Sequence, residues 1–355
     1  MTILITGASG FIGSHVCAQL TREQLPVLAM LRQPQQQLAV LRQQVDALGG
    51  QGSLVQALQG DLDQAELGLN APLPELQAII HLGARFAWQL PMKEARRTNV
   101  DGALAVARLA LRQQARLVFI SGFMLENHEH LTRLGIDLVD SSQTQWQQVY
   151  RRAGGYEASK LEAAIRVREF ACEQGLDLVE VQPATVAGHS HSGQLDSQQP
   201  LYQLIDNLAN GRMAAIPGTP DHWLPLVAVD LLAALIARAA VAEDVPSRLL
   251  ALDTNTPSLQ GLLGKAAEGL GQRPPRRFLP MAVLATLLRI PGLPRLLNTW
   301  PEALHFIQTT RFDTSVTEDF LAGQGLAHPG ILPVIAASTR HYRQQQQGQG
   351  TQQPA

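Results

Sequence analysis

Short apolar runs alternate with longer amphipathic stretches through the first half of the chain. Continuous apolar runs of this length suit strands buried on both faces of a parallel sheet. The runs Thr2–Ile5, Val27–Arg32, Leu54–Leu58, Ala78–Leu82, Leu117–Ile120 and Leu178–Val181 are the predicted strands. The stretches Ile12–Arg22, Leu38–Leu48, Glu94–Gln113 and Lys160–Gln174 carry apolar residues at helical spacing between them. Strand–helix alternation of this kind predicts an α/β fold, a doubly wound parallel sheet with right-handed crossovers.

The alternation stops near Gly188, beyond Pro183. The expected division is therefore a doubly wound α/β domain over 1–188 and a smaller, mixed region over 189–343. Residues 344–355 are rich in Gln and Gly and are expected to be a disordered tail.

Composition narrows the function classes. The 355 residues carry a net charge of −2, which calls for no nucleic-acid partner. The two cysteines, Cys17 and Cys172, lie far apart and form no C-x-x-C pair, so neither a disulfide framework nor a zinc site is expected. The longest apolar stretch, Leu224–Ala242, is broken by Asp230 and Arg238, and no spanning segment is expected. No secretory signal precedes the first strand, and a cytoplasmic location fits these features.

The first strand runs into Thr6-Gly7-Ala8-Ser9-Gly10-Phe11-Ile12-Gly13-Ser14-His15. Glycines at this G-x-x-G-x-x-G spacing permit a tight turn and let backbone approach a pyrophosphate. The helix that follows aims its amide end at the phosphates. The cofactor loop is thus Gly7, Ser9, Gly10, Phe11, Ile12 and Gly13. Strand two ends in Leu31-Arg32-Gln33 without a carboxylate. Arginine there suits a ribose 2′-phosphate, so NADP is expected ahead of NAD; the competing reading is a solvated surface arginine. Asp61, in Gly60-Asp61-Leu62, can accept from an adenine amino group or cap a helix.

Tyr156-Glu157-Ala158-Ser159-Lys160 puts a phenol and an ammonium four residues apart, on one helix face. A neighbouring ammonium is expected to lower the phenol pKa and suit it to proton exchange with an alcohol or carbonyl.

These motifs together resemble the extended short-chain dehydrogenases/reductases: TGASGFIGSH (Thr6–His15), GDL (Gly60–Leu62), HLGA (His81–Ala84), Asn99 within TNVDGA, YEASK (Tyr156–Lys160) and QPATVAG (Gln182–Gly188). The resemblance implies an NAD(P)-dependent oxidoreductase in which Asp61 and Leu62 flank the adenine and Gly83 and Ala84 approach the ribose and phosphates. It also implies Tyr156 as acid/base, Lys160 on the nicotinamide ribose, Pro183 to Val186 beside the nicotinamide, and Asn99 as a structural, cofactor-side residue. A helix-start cap is the other reading of Asn99. The chain departs from the family at Phe119-Ile120-Ser121-Gly122-Phe123, where Gly122 occupies the usual Ser/Thr position. Either Ser121 takes over the hydroxyl role, another residue supplies it, or activity is weak; a strand-end cap is an equal reading of Ser121. Homodimers are common among the proteins it resembles.

Segments His222–Ile236 and Arg311–Leu321 look like parts of the thioester-reductase and fatty-acyl-reductase branch. Apolar Leu279–Leu288 is read as core helix, with a pocket for an apolar substrate as the alternative. His189 and His191 have no third ligand suggested nearby, and no metal is expected. Three functions follow: a reductase of carbonyls or acyl thioesters, a nucleotide-sugar epimerase or dehydratase using Arg273, Arg276 and Arg277 for a diphosphate, and a nucleotide-binding regulator without turnover.

Overall fold

The computed structural model describes residues 2–70, 72–137 and 140–350. In chain order the first unit opens with β1 (Thr2–Thr6), α1 (Phe11–Arg22), β2 (Val27–Leu31), α2 (Pro34–Ala47), β3 (Val55–Gln59) and β4 (Leu76–His81). It continues through α3 (Met92–Ala95), a π-helical turn at Arg96–Asp101, α4 (Gly102–Gln113), β5 (Arg116–Ile120), α5 (His128–Leu134), α6 (Trp146–Ala153), α7 (Gly155–Gln174) and β6 (Leu178–Pro183). The second unit holds β7 (Thr185–Ala187), α8 (Pro200–Ala209), β8 (Ile216–Pro217) and β9 (Leu226–Ala228). Helix α9 (Val229–Val241) leads from it into β10 (Arg248–Ala251), which is again part of the first unit. Then come α10 (Leu259–Leu270), β11 (Phe278–Leu279), α11 (Met281–Leu287), α12 (Leu293–Leu296), α13 (Ser315–Gly323) and α14 (Ile331–Gly350).

The seven-stranded sheet of the first unit has the order β10-β6-β5-β4-β1-β2-β3. Every neighbouring pair in it is parallel. Ile3, Leu4 and Ile5 of β1 are fully buried, as a central parallel strand requires. At the edge, β3 is less covered: Val55 is buried, while Gln56 and Gln59 are exposed. Helix α2 starts on Pro34, which forgoes an amide that has no helical partner, and buries Leu41 and Val45 four residues apart. The chain turns one way from β1 to β2 and the other way to β4, which makes the carboxyl ends of β1 and β4 the switch point where α/β sheets take ligands.

Two expectations on organisation need correction. The first unit comprises 1–183, 232–251 and 315–326, and the second 184–231, 252–314 and 327–355. The split at 188 was therefore close for the first crossing but missed two returns. The run Arg248–Ala251 is too short to stand out in sequence, yet it adds a seventh strand against β6, paired from Arg248↔Glu180 to Ala251↔Pro183. The tail was expected to lose structure from 344, but α14 continues to Gly350. Residues 351–355 lie outside the described residues.

The second unit carries two small parallel sheets, β7–β9 and β8–β11. Its centre holds Trp223, fully buried, with the Arg311 guanidinium stacked 3.8 Å from the ring centroid. Cys17 and Cys172 are free thiols. No helix among the described residues is long and apolar enough to cross a membrane.

Candidate active site

The loop after β1 is built around absent side chains. Gly7 has φ +72°, and a Cβ on it would lie 2.7 Å from the Gly83 nitrogen after β4. A Cβ on Gly13 would lie 2.2 Å from the Gly7 carbonyl oxygen and 2.8 Å from the Ala8 backbone. These approaches seat α1 directly against the end of β1. Gly10 caps α1 with no side-chain hydrogen bond, and its first turn holds no acidic residue. The leading amides of a helix lack internal partners. An uncapped, glycine-lined end of this kind at a switch point fits a dinucleotide pyrophosphate.

The neighbouring loops are pinned to that cradle. The Gly83 amide donates to Thr6 Oγ1 (3.1 Å), and the same hydroxyl shares a 2.6 Å hydrogen bond with His81 Nδ1. Burial, and then the charge of Lys160, push the His81 pKa down to about 3, so the ring is a neutral strut. Leu62 wedges between Gly83 and Gly102, whose Cβ positions would fall 2.8 and 3.0 Å from it. Asp61 accepts the Asp63 amide at 3.0 Å, a turn-capping bond. Arg32 is exposed just beyond β2 and has no side-chain partner among the described residues.

Helix α7 presents Tyr156 and Lys160, both half-buried, one turn apart. A Cβ on Gly155 would lie 1.9 Å from the Leu90 carbonyl, so only glycine lets the segment before α3 press against the start of α7. The Phe86 ring meets the Tyr156 ring edge-on at 4.6 Å. Asn99 locks the same loop: its Oδ1 accepts the Arg85 amide (2.7 Å), and its Nδ2 donates to the Arg85 carbonyl (3.1 Å) and to Ser159 Oγ (2.9 Å). Asn99 sits inside the π-helical turn, which corrects the alternative of a helix-start cap. Such turns recur at functional sites because they re-aim one side chain.

The ammonium of Lys160 donates to the Ile120 carbonyl at 2.5 Å. Burial lowers its pKa to about 8, opposed by the negative charge of Glu180. The phenol of Tyr156 goes the other way, up to about 12, through burial and then through Glu157. The expected lowering by Lys160 is thus not found: its ammonium is directed at a backbone carbonyl, and desolvation of the phenolate sets the direction.

Ser121, the candidate for the hydroxyl role, is engaged within the sheet. Its hydroxyl donates to Glu180 Oε1, deep in the sheet, and the other carboxylate oxygen takes Arg168 Nε at 2.5 Å. A buried carboxylate needs such partners. Gly122, by contrast, has extended backbone (φ −178°), and a Cβ there would meet nothing within 4 Å.

Sequence reasoning missed Phe86, the Thr6–His81–Gly83 strut and the Glu180–Arg168 pair. Glu180 did leave a signal: a lone carboxylate in the apolar run Leu178–Val181 must find a cation or a donor. Of the remaining predicted residues, Ala84 is exposed, Pro183 ends β6, and Val186 lies in β7 of the second unit. Also in the second unit, Asp230 is the third group that sequence spacing did not supply beside His189 and His191. Its two oxygens accept the Ser190 amide (2.9 Å) and hydroxyl (2.5 Å). An apolar cavity of about 210 Å³ lies in that unit, with Leu204, Leu224, Leu279, Leu284 and Leu304 on its walls. Leu284 is at once core and wall, so the two readings of Leu279–Leu288 meet in one helix.

A family model described as Male sterility protein, an NAD-binding family, matches residues 5–236. An aldehyde reductase of Aspergillus flavus, lnaA, is 26% identical over 82% of this chain, which spans 32% of that protein. The large subunit of L-2-aminoadipate reductase from Penicillium chrysogenum is 26% identical over 58% of the chain, and the match spans 16% of that subunit. Among solved structures, the terminal R domain from the myxalamid PKS-NRPS biosynthetic pathway superposes with a TM-score of 0.73 at 21% identity, covering 97% of this chain and 90% of that one. A UDP-galactose 4-epimerase superposes with a TM-score of 0.56 at 16% identity, over 98% and 99% of the two chains. These two likenesses concern the fold.

Proposed function

The chain belongs to the Male sterility protein family, and we propose from that premise that it reduces an acyl thioester or carbonyl compound with NADPH, Tyr156 acting as the proton donor. The observation that carries the reading is Tyr156 and Lys160 on one face of α7 beside the ends of β4 and β5. A bound nicotinamide would supply the hydride to the acyl or carbonyl carbon. Tyr156, protonated across the neutral range at a pKa of about 12, donates its proton to the substrate oxygen. That protonation state suits reduction better than oxidation. Lys160 holds positive charge below about pH 8, one helical turn from the phenol. With a thioester, hydride and proton together yield an aldehyde and a free thiol.

NADPH mixed with an acyl thioester or aldehyde should be consumed in proportion to product. A nucleotide sugar converted with no net loss of cofactor would favour the epimerase reading instead.

Two variants probe finer points. Gly122→Ser restores a hydroxyl where space exists and the backbone already suits any residue. One added donor to a developing oxyanion is worth roughly 10²-fold in kcat, so a rise of at least about tenfold is expected in steady-state assays. An unchanged or lower kcat would show that another group already fills the role. Arg32→Glu removes an exposed cation at the end of β2. NADPH affinity by calorimetry should weaken roughly 10- to 100-fold, with NADH affinity little changed, because charge-assisted bonds to phosphate are strong. Wild-type protein that binds NADH as tightly as NADPH would refute the 2′-phosphate role.

A further inference from the structure

Of the large apolar side chains exposed in the described residues, four fall within α11, α12 and the bend between them: Val283 at 46%, Leu287 at 37%, Ile290 at 51% and Leu296 at 71%. The only others are Val40, Val316 and Leu332, scattered elsewhere. Underneath, Leu284 and Leu288 pack with Leu304, so the outer side chains are surplus to this small core. A cluster of protruding aliphatic side chains is costly in water and marks a surface that docks.

Charge along this stretch of the sequence is one-sided. From Glu268 to Glu302 no acidic residue intervenes, while Arg273, Arg276, Arg277, Arg289 and Arg295 all fall between them. All five are exposed, and none has an ion pair or side-chain hydrogen bond among the described residues. The whole chain nevertheless carries a net charge of −2. Five arginines elsewhere are paired with carboxylates: Arg96 and Arg166 with Glu162, Arg168 with Glu180, Arg212 with Asp206 and Arg238 with Glu23.

We propose that the α11–α12 segment is a peripheral membrane-docking surface that seats Val283, Leu287, Ile290 and Leu296 in the interface of an anionic lipid bilayer. Unpaired arginines around protruding aliphatics match a negatively charged headgroup layer over an apolar interior, where basic side chains meet phosphate and apolar ones enter the acyl boundary. An acidic protein could satisfy the arginines. It would leave unexplained why aliphatic side chains are exposed beside them, up to 71% at Leu296. The docking role goes beyond the reductase reading and does not depend on it.

The test is flotation of the full chain with phosphatidylcholine vesicles and with vesicles containing about one third phosphatidylglycerol. Binding to the anionic vesicles should be at least about tenfold stronger and should fall with added salt. Arg289→Gln and Arg295→Gln should each weaken it roughly fivefold. Leu296→Ser and Ile290→Ser should weaken it on neutral and anionic vesicles alike, with melting temperature and NADPH affinity unchanged. Equal binding to both vesicle types, or binding untouched by all four variants, would overturn the proposal. So would saturable capture by an acidic carrier protein, or a dimer abolished by Leu296→Ser, in a chain that ignores vesicles. Vesicle binding is read without turnover, so its failure is distinct from failure of the reductase reading.

Discussion

Tyr156→Phe should lower kcat for reduction on the order of 10³-fold while leaving the NADPH dissociation constant nearly unchanged. The side chain loses one oxygen and keeps the ring, so the edge-on packing against Phe86 survives and the fold is spared. What disappears is the only proton that the proposed step takes from the protein. The pH dependence should carry the same signature. The wild-type phenol stays protonated well beyond neutrality, at a pKa of about 12, so it sets no limb in the ordinary range. Lys160 is charged below about 8 and loses that charge above it. Reduction should therefore be flat at neutral pH and decline as the pH rises through about 8. A Tyr156→Phe variant that keeps most of its kcat would remove the phenol from the mechanism and favour a nucleotide-binding regulator.

The second large effect concerns the cradle. Gly13→Val should abolish measurable nucleotide binding, roughly 10²-fold weaker or more, because the pyrophosphate loses several charge-assisted amide contacts together. The cause is steric and local: even the first added carbon would stand 2.2 Å from the Gly7 carbonyl oxygen, and that neighbour is backbone, not a flexible side chain. Helix α1 must then shift off β1, with a loss of about 1–3 kcal/mol in folding stability. Gly264 in α10 is the matched control, since a Cβ there meets nothing within 4 Å. Gly264→Ala should keep full NADPH affinity and gain about 0.5–1 kcal/mol of stability. Calorimetric titration and thermal melts on both variants separate cofactor loss from unfolding. Normal affinity in Gly13→Val would remove the glycine loop from the binding site.

Much of the Rossmann half was legible because strands such as β1, β2 and β5 are almost wholly apolar runs bounded by glycine or by a helical period. Thr2–Thr6, Val27–Leu31 and Arg116–Ile120 differ from the sequence reading by a residue at one end. The seventh strand was not legible. Arg248–Ala251 is only four residues long, and its strand character comes from its pairing with β6, which no local pattern records. For the site, spacing alone put Tyr156 and Lys160 together on α7, since a helix brings residues four apart onto one face. The Ser121–Glu180 hydrogen bond was not legible because it joins neighbouring strands of the sheet, and the direction of the phenol pKa was not legible because burial, which spacing does not record, dominates it. Asn99 likewise owes its hold on Arg85 and Ser159 to a π-helical turn that sequence periodicity does not show.

The central claim is that this chain passes a hydride from a nicotinamide to its substrate. NADPH deuterated on the transferring face of its ring, incubated with an acyl thioester and the enzyme, tests it by mass spectrometry of the product. The account predicts an aldehyde carrying one deuterium on the former acyl carbon, formed in step with NADPH loss, and none from Tyr156→Phe. Product without label, or turnover with the cofactor undiminished, would contradict it.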